Sequence, residues 1–271
     1  MKYSVLMSVY KKEQPNFFKT SLDSMINQTV QPTEIVIVKD GELTDTLDNV
    51  INEYISRYPN LFQVVTLRQN IGLGLALNEG LKVCKNELVA RMDTDDISLP
   101  NRCELQLKRF LEEENLDILG TAVDEFCEDP AKPYASRVVP TDHGAIYQFA
   151  KRRSPFNHPT VMYKRSRVLA CGGYSNLRRN QDVDLFARML YQGCKAANLG
   201  QSLLLFRSNE GLLKRRKDWN NTKTYIQTIR RLWKMGFSSF GDYVAVAAAQ
   251  VVIFCCPIGL QNWIYKKFLR K

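Results

Sequence analysis

Histidine is nearly absent from this 271-residue chain: only His143 and His158 occur. With no second His or Cys at ligand spacing, the sequence argues against a histidine-built zinc centre. It has no G-x-S-x-G element, so the signature of a serine hydrolase is missing. The seven cysteines (Cys84, Cys103, Cys127, Cys171, Cys194, Cys255 and Cys256) are odd in number, and none forms a CxxC pair. That argues against a disulfide framework or a zinc ribbon, and for small buried side chains in a reducing cytoplasm. No low-complexity run or fixed-period repeat occurs, which sets disorder and solenoid folds aside. The opening MKYSVLMSVY lacks the apolar core of a secretory signal and reads directly as a strand.

The second half of the chain lacks acids. Residues 1–150 hold 15 Lys/Arg against 23 Asp/Glu, a balance of −8, whereas 151–271 hold 23 against 5, a balance of +18. So basic a half implies an anionic partner: nucleic acid, an acidic membrane surface or a phosphorylated substrate. The plainer alternative is a solvated Lys/Arg surface.

What is present, over the first 120 residues, is a strand–helix alternation. SVLMSV (4–9), EIVIVKD (34–40), FQVVTL (62–67) and ELVARMD (87–93) read as strands. Between them, 16–28, 43–58 and 73–84 carry helical periodicity, the second with Thr44 as expected N-cap and Asp45 and Asp48 in its first turn. A helix after Pro100 and a strand over 116–126 follow. Such alternation means a largely parallel sheet with ligands beyond the carboxyl ends of its strands. Asp40 and Asp93 both fall at such ends. From about 127 to 157 the pattern loosens around Pro130, Pro133, Pro140 and Pro155, and we read a connecting region. Helices are expected again at 166–174, 181–193 and 215–237, with a strand at 202–207.

Three acidic segments carry candidate chemistry. In RMDTDDISLP, Asp93, Asp95 and Asp96 crowd three carboxylates into four residues. A hard divalent cation, Mg²⁺ or Mn²⁺, would relieve their repulsion; an acidic turn before a helix is the alternative. In VKDGELTD, Asp40 can present its carboxylate to base or ribose donors, or simply begin an Asp-Gly turn. In NQDVDLFARML, Asp182 can accept a proton from a hydroxyl, or merely stabilise a helix N-terminus. Gly72, Gly74 and Gly80 have neither P-loop nor GxGxxG spacing. His158, before a proline and a short apolar strand, is a further candidate to line the site.

Taken together, SVLMSVY, SLDSMINQT, EIVIVKDG, NIGLGLALNEGL, RMDTDDISLPNR, NHPTVMYKRS, GGY and QDVDLFARML resemble the family 2 glycosyltransferases in their family order. They span roughly residues 3–210, and the VKDG turn and FRSNEGLLKRR segment look most like the amylovoran-biosynthesis type. The resemblance implies an α/β GT-A domain over residues 1–210 and an inverting, metal-dependent transfer from a nucleotide sugar, UDP by family habit. It assigns Ser8, Val9, Tyr10 and Asp40 to the nucleotide pocket, and Asp93 and Asp95 to ribose, metal and diphosphate. Asp96 becomes an adjoining acid and Asp182 the catalytic base. The chain departs from the family pattern at Gln181, Lys39 and Leu77, and has no match to a downstream metal-assisting His.

Residues 211–271 are expected to form a basic, helical, membrane-associating extension. Its apolar run from Tyr243 to Leu260 is at the lower edge for spanning a bilayer, and Trp263, Tyr265, Lys266, Lys267, Arg270 and Lys271 resemble an interfacial anchor. We read peripheral or monotopic attachment to the cytoplasmic face of a bacterial inner membrane, with a true span and a plain buried helix as the alternatives; such attachment suits an undecaprenyl-diphosphate-linked acceptor. It also answers the charge asymmetry without nucleic acid, for which no motif is present. A nucleotidyltransferase would carry a basic Gly-rich loop where this chain has SVYKKEQPN, and an idle carbohydrate- or membrane-binding module would not need Asp40, Asp93, Asp95 and Asp182 together.

Overall fold

The structure is a computed structural model and describes residues 1–208 and 219–256. Its first half is β1 (Tyr3–Val9), α1 (Pro15–Ile26), β2 (Glu34–Lys39), α2 (Asp45–Arg57), β3 (Phe62–Thr66), α3 (Leu73–Val83) and β4 (Leu88–Arg91). There follow a two-residue β5 (Ile97–Ser98), α4 (Arg102–Glu112), β6 (Leu116–Phe126), β7 (Ala135–Arg137) and α5 (His143–Ala150). A 3-10 turn (His158–Thr160) leads into β8 (Met162–Lys164), α6 (Arg165–Ala170), α7 (Gln181–Tyr191) and β9 (Lys195–Arg207). Two helices, α8 (Trp219–Lys234) and α9 (Phe240–Cys255), complete the described chain.

The strands form one mixed sheet in the order β3-β2-β1-β4-β8-β6-β9-β5, with β7 on β6. The first four pair in parallel. β8 is antiparallel to both β4 and β6, while β6 and β9 run parallel. The carboxyl ends of β1, β2, β4, β6 and β9 therefore share one edge. Every candidate at a strand end is delivered to the same side of the molecule.

Side-chain alternation divides the core in two. Tyr3, Val5, Met7, Val9, Ile35 and Ile37 pack with Phe18 and Leu22 of α1, Leu47 and Ile51 of α2, and Leu107 of α4. Leu6, Val36 and Val38 face the other way, toward Leu77 and Leu81 of α3 and Leu185, Phe186 and Met189 of α7. On that second face α3 lies so close that a Cβ on Gly80 would come within 2.3 Å of Leu6 Cδ1 and 2.8 Å of Val38 Cγ2. Gly80 is thus a packing residue, and Leu77 is fully buried beside it. α2 starts where its sequence says: Thr44 accepts from the Leu47 N–H at 3.4 Å, a cap that stabilises by about 1 kcal/mol.

Three expectations need correction. The loosely patterned stretch 127–157 contains β7 and α5, and Asp142 caps the latter through the Ala145 N–H at 2.9 Å. The strand expected at 202–207 begins seven residues earlier, at Lys195, because KAANLGQ pairs with β6 through register shifts that its polar sequence hides. The helix expected over 166–174 stops at Ala170, since Gly172 and Gly173 take φ of +81° and +66°.

α8 and α9 form a hairpin. Trp219 meets Phe254 at 5.1 Å between ring centroids, and Trp233 stacks on Tyr243 at 5.5 Å. Ile229, Leu232, Phe237 and Val246 are buried in the cluster that also holds α7, while Phe240, Val244, Val251 and Val252 are exposed. Among the described residues no helix is long and apolar enough to cross a membrane. The basic stretch 214–217, the boundary at 210/211 and the anchor residues beyond 256 lie outside the described residues. All seven cysteines are free, and Cys84, Cys103, Cys171 and Cys194 are buried.

Candidate active site

β2 ends on Asp40, whose own N–H bonds to Val9 O at 2.8 Å. Its carboxylate is buried and accepts three hydrogen bonds: from Asn70 Nδ2 at 2.8 Å, Ile71 N at 2.7 Å and Gly72 N at 3.1 Å. A carboxylate has about four acceptor positions, so Asp40 spends most of them shaping the 70–72 loop. Gly41, at φ +87°, lets this loop approach; a Cβ there would lie 2.7 Å from Asn70 N.

β4 ends on the acidic turn. Asp93, Asp95 and Asp96 each offer a carboxylate oxygen, all within 4.8 Å of one another. Asp93 is ion-paired with the fully buried Arg91 guanidinium, and its carbonyl accepts from Ser21 Oγ at 2.6 Å. Burial and the neighbouring Asp93 push Asp95 up to about 6, against the pull of Arg91 and Arg207. Asp96 is fully buried, and desolvation with repulsion from Asp93 and Asp95 drives its carboxyl well above the usual range. One of its oxygens accepts from Arg207 N at 2.9 Å, and the other has no partner among the described residues. This all-oxygen donor set, with one buried oxygen unsatisfied, fits a hard divalent cation.

These strand ends enclose a cleft of about 490 Å³ lined by Ser8, Tyr10, Glu13, Asp40, Asn70, Gly72, Leu73, Asp93, Thr94, Asp95, Arg178, Arg179, Phe206 and Arg207. A second cleft shares Tyr10, Asp40, Asn70 and Arg178 with it and adds Lys11, Lys12 and Arg68. Ser8, Tyr10, Asp40, Asp93 and Asp95 thus come together. Val9 does not join them by its side chain, which is fully buried in the core against α1 and α2 because it alternates with Ser8 along β1. Asp96 belongs to the acidic cluster but is not among the cleft-lining residues.

Asp182 sits in the first turn of α7, outside the lining of either cleft. It is half-buried; burial raises its carboxyl above the ordinary value, partly offset by the Val183 N–H and Arg137. Ser154 Oγ donates to it at 3.4 Å. The start of α7 abuts the cleft wall: a Cβ on Gly74 would meet Gln181 Cγ at 3.0 Å, and Gly72 and Leu73 just before it line the cleft. Gln181 is buried at this contact. Tyr174 joins the two acidic regions, since Asp93 and Asp182 both act on its hydroxyl electrostatically. That hydroxyl lies 2.9 Å from His158 Nε2, and burial together with Arg91 holds this imidazole well below its ordinary value. His158 therefore supports the site from beneath. Asn78 of α3 fixes the loop carrying Tyr174, bonding both its N–H and its carbonyl at 2.8 Å.

Reading the sequence alone overlooked Arg91, Asn70, Arg178 and Arg207. The available signals were weak: Arg91 is a charge inside an otherwise apolar strand, and Arg207 a charge closing one.

Residues 4–179 match the family described as Glycosyl transferase family 2. The chain belongs to that family. It is a family 2 glycosyltransferase, and its curled mixed sheet with flanking helices is the GT-A fold. Among relatives, it is 38% identical to an "Uncharacterized glycosyltransferase" of Haemophilus influenzae, with both chains covered fully. It is 34% identical to the Escherichia coli UDP-Gal:alpha-D-GlcNAc-diphosphoundecaprenol beta-1,3-galactosyltransferase, covering 100% of this chain and 97% of that one. It is 32% identical to the amylovoran biosynthesis glycosyltransferase AmsE of Erwinia amylovora, covering 98% of each. In fold, this glycosyltransferase matches the Pyrobaculum calidifontis mannosyltransferase PcManGT, a complex with GDP-Man and Mn²⁺, at TM-score 0.66 and 14% identity over 97% of this chain and 78% of that one. It also matches S. aureus TarS 1-349 in complex with UDP-GlcNAc, at TM-score 0.61 and 17% identity over 96% and 84%.

Proposed function

We propose that this glycosyltransferase moves a sugar from a UDP-sugar to a hydroxyl of an undecaprenyl-diphosphate-linked saccharide, with inversion at the anomeric carbon, in bacterial surface-polysaccharide synthesis. The observation that carries the reading is the convergence of Ser8, Tyr10, Asp40, Asp93 and Asp95 on one cleft at the carboxyl edge of the sheet. The relative that acts on a diphosphoundecaprenol acceptor, aligned over the whole chain, supports the acceptor class.

Asp40 sets the shape of the nucleotide end by holding the 70–72 loop, and keeps an acceptor position for a base or ribose donor. Asp93 and Asp95, with Asp96 behind them, would hold Mg²⁺ or Mn²⁺, which supplies charge neutralisation to the departing nucleoside diphosphate. Arg91 orients Asp93 through their ion pair. Asp182 takes the proton of the attacking hydroxyl: its burial favours proton uptake, and Ser154 orients the carboxylate. The exposed apolar residues of α9 and the basic C-terminal sequence support peripheral placement at the cytoplasmic face of the inner membrane, beside a lipid-linked acceptor.

The test is a panel of UDP-sugars with an undecaprenyl-diphosphate-linked N-acetylglucosamine acceptor and Mn²⁺, with product anomericity read by NMR. The expected result is an inverted linkage, with Asp182→Asn binding UDP normally but transferring about a thousandfold more slowly. Full transfer by folded Asp182→Asn, or a retained anomeric configuration, refutes the mechanism.

A further inference from the structure

Arg207 closes β9 in a setting unlike that of a solvated surface arginine. Its guanidinium carbon lies 3.9 Å from the centroid of the Phe17 ring and 4.5 Å from that of Phe126. Phe126 is its register partner at the end of β6, and Phe17 reaches it from α1. Its backbone N–H donates to Asp96 Oδ1 at 2.9 Å and its Nε–H to the Asp95 carbonyl at 2.9 Å. Main chain, Nε and ring faces are thus all committed. The two Nη groups are not: no described residue accepts from them, and the side chain lines the cleft beside Asp93 and Asp95.

We propose that Arg207 is a diphosphate-gripping residue of this cleft, a role that rests on the nucleotide-sugar and lipid-diphosphate reading above. Two aromatic faces and one backbone bond fix the guanidinium plane, so little rotamer freedom remains to be lost on binding. The free Nη edge presents the parallel donors that match phosphate oxygens in pairs. Its location explains why such a cation belongs here. The acidic turn alone would repel an anion, and Arg207 places a fixed positive charge at that turn's edge. Arg178 and Arg179 line the same cleft from the loop before α7. The diphosphate has two possible owners, the departing nucleotide or the lipid-linked acceptor, and one set of measurements separates them.

Arg207→Met keeps an unbranched side chain to pack on the two rings and leaves the backbone bond to Asp96 intact. Titrations of the full chain with UDP, UMP, farnesyl diphosphate and Mn²⁺ alone form the test. Loss of UDP affinity on the order of tenfold, with UMP held within about twofold, assigns the grip to the nucleotide. A comparable loss confined to farnesyl diphosphate assigns it to the acceptor. Arg207→Lys, which keeps the charge without the planar fork, is expected to recover only part of either loss. Unchanged affinity for both diphosphates in the folded Met variant overturns the proposal. So does a loss of Mn²⁺ binding that accounts for the whole loss of UDP, because Arg207 would then only support the acidic turn. Wild-type protein that binds no UDP overturns the nucleotide-sugar reading itself, a result distinct from either.

Discussion

At the end of β2 one carboxylate accepts three hydrogen bonds, and at the end of β4 three carboxylates share a turn in which one buried oxygen has no partner among the described residues. Both sites belong to the same sheet edge, and Asp40, Asp93 and Asp95 line the same cleft. The difference between them is hydrogen-bond satisfaction. Asp40 spends three of its acceptor positions within the protein, so its first job is to hold the 70–72 loop as a wall. The acidic turn has more negative charge than its protein partners, Arg91 and Arg207, offset. A satisfied acid builds shape, while an unsatisfied cluster calls for a cation. Mutations that exploit this difference should therefore fail in different ways.

Asp95→Ala is expected to have the larger effect. Removing one donor from the cluster should reduce transfer by about a hundredfold or more, and remove the Mn²⁺ dependence of UDP binding. The fold should survive, because the substitution relieves repulsion. Parallel Tm and UDP titrations with and without Mn²⁺ check both parts. A variant that binds UDP more tightly with Mn²⁺, as wild type is expected to do, would sink the metal assignment.

Asp40→Ala should show the opposite pattern. It strands the Ile71 and Gly72 N–H groups and Asn70 Nδ2, so stability should fall by about 1–3 kcal/mol. UDP affinity should fall roughly tenfold as the loop loosens, with Mn²⁺ affinity little changed. Urea unfolding and calorimetric titration measure the two effects. Intact stability would show that the three hydrogen bonds do not carry the loop.

The division between satisfied and unsatisfied acids was only partly legible in the sequence. Asp40 and Asp93 could be placed at strand ends because EIVIVKD and ELVARMD are apolar runs that stop on an acid. The Thr44 cap was equally plain, since capping depends on residues three apart. Long-range pairing was hidden. Arg207 reaches the acidic turn only because β9 runs beside β6 and pairs with β5, and the 13-residue β9 begins in a polar stretch with no strand pattern. The position of Val9 was a matter of phase. Side chains along β1 alternate, so of two neighbouring residues assigned to the pocket, Ser8 faces the cleft and Val9 the core. The apolar helix pattern after Asp182 places this acid near a first turn, and it lies in the first turn of α7. Its partner Ser154 comes from a segment that reads as a loop, 28 positions away.

The smallest expected effect sharpens the comparison most, because it tests the acidic turn without mutation. The carboxyl of Asp95 is raised to about 6 in the folded chain, and burial with repulsion from its two neighbours also drives that of Asp96 well above its ordinary value. An unfolded aspartate titrates near 3.9. Between these values the folded state holds more protons than the unfolded state, so without metal this cluster's contribution to stability falls as pH rises from about 4 through 6. A divalent cation takes the place of those protons, and its binding must strengthen over the same interval. Saturating Mn²⁺ should therefore raise Tm by a few degrees at pH 7.5 and by much less at pH 5. Asp40 is not a member of the Asp93–Asp95–Asp96 cluster, so Asp40→Asn should lower the whole Tm profile while leaving its metal- and pH-dependent difference in place. Asp95→Asn should flatten that difference. A Mn²⁺ effect equal at the two pH values would mean that protons and metal do not compete at this turn, and that its carboxylates are satisfied in a way the geometry does not show.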